Sequence, residues 1–367
     1  MIRSRAVAAA LTTVAVIAAT LTAPGTAHAA TLSMLGADVS SLQRSLDLGQ
    51  TYYNASGTAQ NPYDILKSRG VNYARLRVWN NPASGYNNKA KVLTQAAAIK
   101  AKGLKLMIDF HYSDTWADPG KQFKPAAWSS HNISQLQTDV YNYTLDVCNS
   151  LKAQGTTPDS VQIGNEINVG MLWNEGKVVN NDFTNLSLLL KQGYNAVKAC
   201  NGSTQVIIHT ANANSMANAR WFYDGIKAKG VNWDITALSY YCMWHGDLTN
   251  LYNVIADVKA RYGKSVILAE TAYPFTLSNA DSQANSVNTT CSGYAATWAG
   301  QGTNFTHVQN TARNAGAIGV FYWEPTWVAR AGNGWDPANI NGTGNEWDNM
   351  AIFNWTGQLN PNIWWTP

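Results

Sequence analysis

Ser160-Val161-Gln162-Ile163-Gly164-Asn165-Glu166 is a short apolar run that closes on a carboxylate, and Ser265-Val266-Ile267-Leu268-Ala269-Glu270 repeats the pattern later in the chain. In parallel α/β folds, chemistry collects at the carboxyl ends of the strands. Each run is therefore read as a strand that delivers a glutamate to one face of a sheet. Outward from these two, short apolar runs keep alternating with longer amphipathic ones. Strands are expected at residues 35–39, 73–79, 104–110, 161–166, 205–210, 235–241, 266–270 and 317–323, and helices at 91–102, 133–153, 186–199, 251–262 and 305–314. Gly103, Gly230 and Gly263 stop helical segments, as left-handed caps do. Eight such alternations predict an α/β fold, a single (β/α)8 TIM barrel. A doubly wound sheet is the alternative, but no Gly-rich phosphate turn follows the first strand. Strand starts are bland, whereas strand ends read Trp79-Asn80-Asn81-Pro82, Asp109-Phe110-His111-Tyr112, Tyr240-Tyr241 and Tyr322-Trp323-Glu324.

The bulk composition narrows the function classes. Arg3 and Arg5 precede an apolar stretch from Ala6 to Leu21, followed by Ala27-His28-Ala29. This reads as a secretory signal peptide over residues 1–29, leaving residues 30–367 as one catalytic domain of a secreted, soluble protein. No other run reaches membrane-spanning length, so no membrane partner is expected. Charged residues make up 13% of the chain, the formal net charge is +4 and no basic cluster occurs, which argues against nucleic acid. The 15 Trp and 17 Tyr suit sugars instead, because aromatic faces stack on C–H surfaces while hydroxyls meet polar groups. Cys148, Cys200, Cys242 and Cys291 allow three pairings in an oxidising compartment. Cys148 and Cys200 close successive helical segments, and Cys242 and Cys291 follow successive strands, which favours 148–200 with 242–291.

Two carboxylates facing each other over a barrel mouth can hydrolyse a glycosidic bond. Glu166 is the candidate acid, provided partial burial or a second carboxylate raises its pKa. Asn165 is placed to contact a hydroxyl beside the reacting carbon. Glu270, three strands on, is the candidate nucleophile; strand ends four and seven face one another and can bring carboxyls to about 5–5.5 Å, the retaining separation. Arg75 and Arg77 share one strand face by period-two alternation. One would keep the nucleophile ionised, and the other is expected in a lateral ion pair. His111 is a candidate to orient a carboxylate or bind a hydroxyl, Tyr241 to donate to the nucleophile, and Trp116 and Trp323 to contact a sugar ring.

Four runs carry a family resemblance: Val71-Asn72-Tyr73-Ala74-Arg75-Leu76-Arg77-Val78-Trp79, Ile108-Asp109-Phe110-His111-Tyr112-Ser113-Asp114-Thr115-Trp116-Ala117-Asp118-Pro119, Ile163-Gly164-Asn165-Glu166 and Phe321-Tyr322-Trp323-Glu324-Pro325. The chain resembles the endo-β-1,4-galactanases of glycoside hydrolase family 53, within the clan of retaining glycosidases that carry glutamates on strands four and seven. The resemblance implies Glu166 as acid/base, Glu270 as nucleophile, and Arg75, His111, Asn165 and Tyr241 as supporting groups. The implied substrate is the polysaccharide β-1,4-galactan of pectin side chains, cut internally, by an enzyme expected to be a monomer. Asn279, Asp281, Gln283 and Asn285 carry side-chain oxygens at every second position. They look like the structural Ca2+ loop of bacterial members, with Asn345 and Asp348 as the counterparts of its completing loop. Cys242 and Met243 depart from the family pattern of Pro and an aromatic after the strand-six tyrosine. Other retaining endoglycanases of the clan, acting on mannan, xylan or cellulose, share the glutamate pair, and a silent carbohydrate-binding barrel is the alternative outside catalysis.

Overall fold

The computed structural model describes residue 1 and residues 31–367, so the expected signal peptide lies, Met1 aside, outside the described residues. Eight parallel strands close in chain order into a barrel: β1 (Met34–Asp38), β2 (Tyr73–Val78), β3 (Lys105–Phe110), β4 (Ser160–Ile163), β5 (Gln205–Thr210), β6 (Ile235–Ser239), β7 (Ser265–Thr271) and β8 (Gly319–Tyr322), with β8 pairing back onto β1. Around it run α1 (Leu42–Asp47), α2 (Pro62–Ser68), α3 (Lys89–Ala101), α4 (Ile133–Ala153), α5 (Thr184–Cys200), α6 (Met216–Ala228), α7 (Cys242–His245), α8 (Leu248–Tyr262) and α9 (Trp298–Asn314). The (β/α)8 expectation is met. The sequence reading left out α1, α2 and α7, and of α6 it gave only the stop at Gly230. In α6, Ala219, Phe222, Tyr223 and Ile226 bury one face at helical spacing, and the Ser215 side chain caps the start by accepting from Asn218 N–H.

Alternation sorts every strand into two sets. Outward side chains such as Leu76, Ile108, Val161, Ile208, Leu238 and Leu268 pack under the helices. Inward ones climb from apolar to polar along the barrel axis. Met34, Tyr73, Met107, Ile207, Ile235, Ile267 and Phe321 fill the lower interior. Phe321 lies across the axis because Gly36 opposite leaves the room; a Cβ on Gly36 would sit 2.0 Å from its ring. One layer higher come Asp38, Arg75, Asp109, Gln162 and His209, all buried.

β7 breaks the alternation once. Leu268 pairs with Leu238, but Glu270 pairs with the next residue, Ser239, so β7 holds one extra residue; the same offset recurs against β8. This β-bulge turns Glu270 inward, directly after the inward Ala269, where strict alternation would aim it at the helices.

The disulfides are Cys148–Cys200 and Cys242–Cys291, the pairing favoured by sequence. The first staples the ends of α4 and α5, and the second ties the residue after Tyr241 to the loop that follows β7. They span 52 and 49 residues, so each removes loop entropy from the unfolded chain equivalent to about 4 kcal/mol in the chain-entropy account. Replacing Cys148 and Cys200 together by serine is expected to lower the melting temperature without changing the far-UV circular dichroism of the folded state. An unshifted transition would show that the staple adds nothing.

Candidate active site

Gly164 enters the left-handed region with φ 82°, and this ends β4 at Ile163. The strand was expected to run through Glu166; instead Glu166 itself stands in the left-handed region, with φ 47°. A non-glycine residue is strained there, by about 1 kcal/mol or more, and must be held by its surroundings. Backbone N–H groups of Glu166 and Ile167 donate to His209 Nδ1 (3.4 Å) and His209 O (3.1 Å), and Gln122 Nε2 donates to Asn165 O (2.8 Å). The broken strand lets two successive residues, Asn165 and Glu166, line the same cavity.

Glu270 reaches that cavity through its bulge, and both its oxygens are held. Arg75 Nη1 donates to Oε1 at 3.0 Å and the Tyr241 hydroxyl to Oε2 at 3.0 Å. Arg75 is fully buried and shared: Nη1 also meets Asp38 Oδ2 (2.8 Å), while Nη2 meets Asp109 Oδ2 (2.9 Å), Gln162 Oε1 (3.1 Å) and Asn165 Oδ1 (2.9 Å). His111 acts one step back. Its Nδ1 accepts from Trp79 Nε1–H (3.0 Å) and Ala117 N–H (3.1 Å), which leaves the proton on Nε2, facing Asp109 Oδ2 at 3.2 Å. Arg77 takes the lateral role, pairing with buried Glu324 at 2.6 Å.

The electrostatics of the two glutamates differ. Burial is the main cause that lifts Glu166 to about 7; Ser239 and Arg75 pull it down, and Asp118 and Asp109 push it up. Burial also dominates for Glu270; Arg75 lowers it, the carboxylates Glu166, Asp109 and Asp38 raise it, and the net direction is upward. Two carboxylates so coupled titrate as a pair. The donors decide where the shared proton rests. Glu270 receives a guanidinium and a phenol, and Glu166 has no cation in direct contact among the described residues, an arrangement that favours the charge on Glu270 and the proton on Glu166.

The cavity, about 480 Å³, is lined by Glu166, Glu270, Asn165, His111, Tyr241, Trp116 and Trp323. Every candidate contact read from sequence, except Arg75, which stands behind Glu270, opens onto it. Trp244, Trp335, Trp347, His245 and Asp118 also line it and were not singled out. Trp335 and Trp347 come from the stretch after β8 that has no regular structure, so no periodicity marks them; only the high Trp content hinted at an aromatic wall.

The oxygen-rich loop after β7 is partly committed to the protein. Asp281 accepts from the backbone N–H groups of Gln283 and Asn345, each at 2.8 Å. Asn279 Nδ2 donates to Gln283 O, and Gln283 Nε2 donates to Glu346. Asn345 is tied at both ends, to Trp327 O and Trp347 N–H. Asn285 Oδ1 and Asp348 Oδ1 are buried without a hydrogen-bond partner among the described residues. Among those residues no three His, Cys, Asp or Glu side chains gather as a metal-binding group.

The family described as Glycosyl hydrolase family 53 matches residues 34–364. The Endo-beta-1,4-galactanase of Bacillus subtilis is 34% identical over 305 residues, 80% of this chain and 70% of that one. Arabinogalactan endo-beta-1,4-galactanase A of Emericella nidulans is 36% identical over 321 residues, 84% and 89% of the two chains. Among solved structures, the GH53 catalytic domain of Ignisphaera aggregans is 36% identical with a TM-score of 0.85, covering 90% of this chain and 94% of its own. An endo-1,4-beta-xylanase from Penicillium canescens, 13% identical with a TM-score of 0.57, shares the fold alone.

Carbon-13 NMR titration of the Glu166 carboxyl is expected to give a midpoint near 7. In Glu270→Gln the midpoint should fall, because a neighbouring negative charge is lost and Arg75 is freed to act on Glu166. A midpoint that stays near 4 in the unmodified protein would contradict the assignment of the shared proton.

Proposed function

This chain belongs to glycosyl hydrolase family 53, and from that membership we propose that it is an endo-acting β-1,4-galactanase working by double displacement with retention of configuration. One observation carries the reading: two glutamates share one cavity, one held by a guanidinium and a phenol, the other with no cation against it among the described residues. A Glu270 oxygen attacks the anomeric carbon as the glycosidic C–O bond breaks. Glu166 gives its proton to the departing oxygen, and a galactosyl ester of Glu270 results. Glu166, now ionised, takes a proton from water, whose oxygen displaces the ester and restores both side chains. Asn165 is read as the contact for the hydroxyl next to the reacting carbon and Trp116 and Trp323 as contacts for sugar rings, because all three line the cavity. Substrate is the linear β-1,4-galactan of pectin side chains, cut internally along an aromatic cleft.

The same reading includes export as a soluble monomer after removal of residues 1–29. Support comes from the charged, apolar and small-residue order of that segment, and from two disulfides that suit an oxidising compartment. No helix among the described residues is long and apolar enough to cross a membrane.

The same reading includes a structural Ca2+ in the loop after β7. Asp281, Asn285 and Asp348 would hold it, the last two through buried Oδ1 atoms without a hydrogen-bond partner among the described residues, with Asn279 and Gln283 as further oxygen donors of the same loop. When bound, the ion would neutralise the carboxylates and tie the loop to the segment around Asp348; it takes no part in the chemistry. Chelation is expected to lower the melting temperature, and added Ca2+ to restore it. A transition indifferent to both would remove the ion from the account.

Wild-type protein should release reducing ends from linear galactan, with the first-formed anomer retained by proton NMR. Activity, as kcat/KM, needs Glu166 protonated and therefore falls as pH rises through about 7. Glu166→Gln should cost about 10²–10⁴-fold on galactan and abolish that alkaline fall. Glu270→Gln should reduce turnover to background in a folded protein. Inversion of configuration, or full activity in either variant, would sink the mechanism.

A further inference from the structure

Arg77 lies outside the cleft lining, yet it is built against the aromatic wall. It is 3% exposed, and its Nη1 donates to Glu324 Oε1 at 2.6 Å. Glu324 is itself fully buried and anchored, accepting from the Ser41 hydroxyl at 2.6 Å. The guanidinium carbon sits 4.2 Å from the ring centroid of Trp116, 4.9 Å from Trp79 and 5.9 Å from Trp327. Its buried Nε has no hydrogen-bond partner among the described residues. The plane of the guanidinium is therefore set by indoles as much as by acceptors. Trp116 is also braced elsewhere: Trp335 stacks on it at 4.9 Å and 20°, Trp79 meets it edge-on at 5.0 Å, and its Nε1–H donates to Trp335 O at 2.9 Å. Of these rings, Trp116 and Trp335 face the cavity. Replacing a buried ion pair by apolar residues is often neutral or stabilising, so burying one here points to placement rather than stability.

We propose that Arg77, neutralised by Glu324, is a positioning residue for substrate binding: its flat cation fixes the tilt of the Trp116 indole, whose cavity-lining edge meets a galactosyl ring. The inference rests on the galactanase reading and names what stands behind its sugar-binding wall. An indole left to Trp335 and Trp79 alone would settle at another tilt and have to be realigned on each binding event, which weakens binding without touching the glutamates. Lysine keeps the charge toward Glu324 but offers a point cation in place of a plate.

Arg77→Lys is expected to raise KM for linear β-1,4-galactan about tenfold while kcat stays within about threefold. The Trp116 indole N–H should exchange faster with solvent, read by nitrogen-15 NMR. Should Arg77→Lys fail to fold, Glu324→Gln, which leaves the plate but weakens its anchor, should give the same split. An unchanged KM, or a kcat loss as large as the KM rise, overturns the proposal. If the wild-type protein releases nothing from galactan, the substrate reading fails, and an indole exchange rate unchanged by Arg77→Lys would then overturn the positioning role independently.

Discussion

A single buried guanidinium holds the working end of this barrel together. Arg75 reaches from β2 to Asp38 on β1, Asp109 on β3, Gln162 on β4 and Glu270 on β7, with Asn165 just beyond β4. Removing one partner of such a cluster would leave a charge stranded away from water, at about 3–5 kcal/mol. The charges do not balance: one cation faces Asp38, Asp109 and Glu270, with Glu166 nearby. Burial first, and that excess of negative charge after it, raises both glutamates so that they titrate as a pair.

The layers above and below explain why the cluster matters so much. Beneath it lies an apolar plug of Phe321, Ile207, Ile235 and Ile267; above it stands an indole wall containing Trp116, Trp323, Trp335 and Trp347. A polar stratum between two apolar ones is poorly solvated, so each charge feels its neighbours strongly. The same confinement raises Glu166 to about 7 and keeps His209, pushed well below its ordinary value by burial, neutral behind Asn165 and Glu166. A neutral imidazole can accept one hydrogen bond and donate another, which suits a residue that braces a strained backbone.

Much of this was readable from residue order. Apolar runs ending in polar clusters located all eight strands, and Glu166 and Glu270 emerged because each closes such a run. What stayed hidden has identifiable physical causes. The helices α1, α2 and α7 are too short for a periodic pattern, and α6 contains Asn218, Trp221 and Gly225, poor helix formers whose place is set by packing. The Gly225 site is occupied by the Phe183 ring, a tertiary contact no local window contains. The end of β4 was misplaced because a left-handed glutamate has no sequence signature. Trp335 and Trp347 are brought to the cleft by an irregular segment whose course depends on ties such as Asn345 to Trp327, residues far from any strand pattern.

The extra residue in β7 makes strand length a determinant of chemistry in its own right. Were β7 to pair evenly with β6 and β8 at its present length, Glu270 would rotate out toward the helical shell, with every side chain still present. Residue identities would register no change, while the carboxylate would leave the cavity. The phase of one strand is thus as much a part of this site as the groups the strand carries.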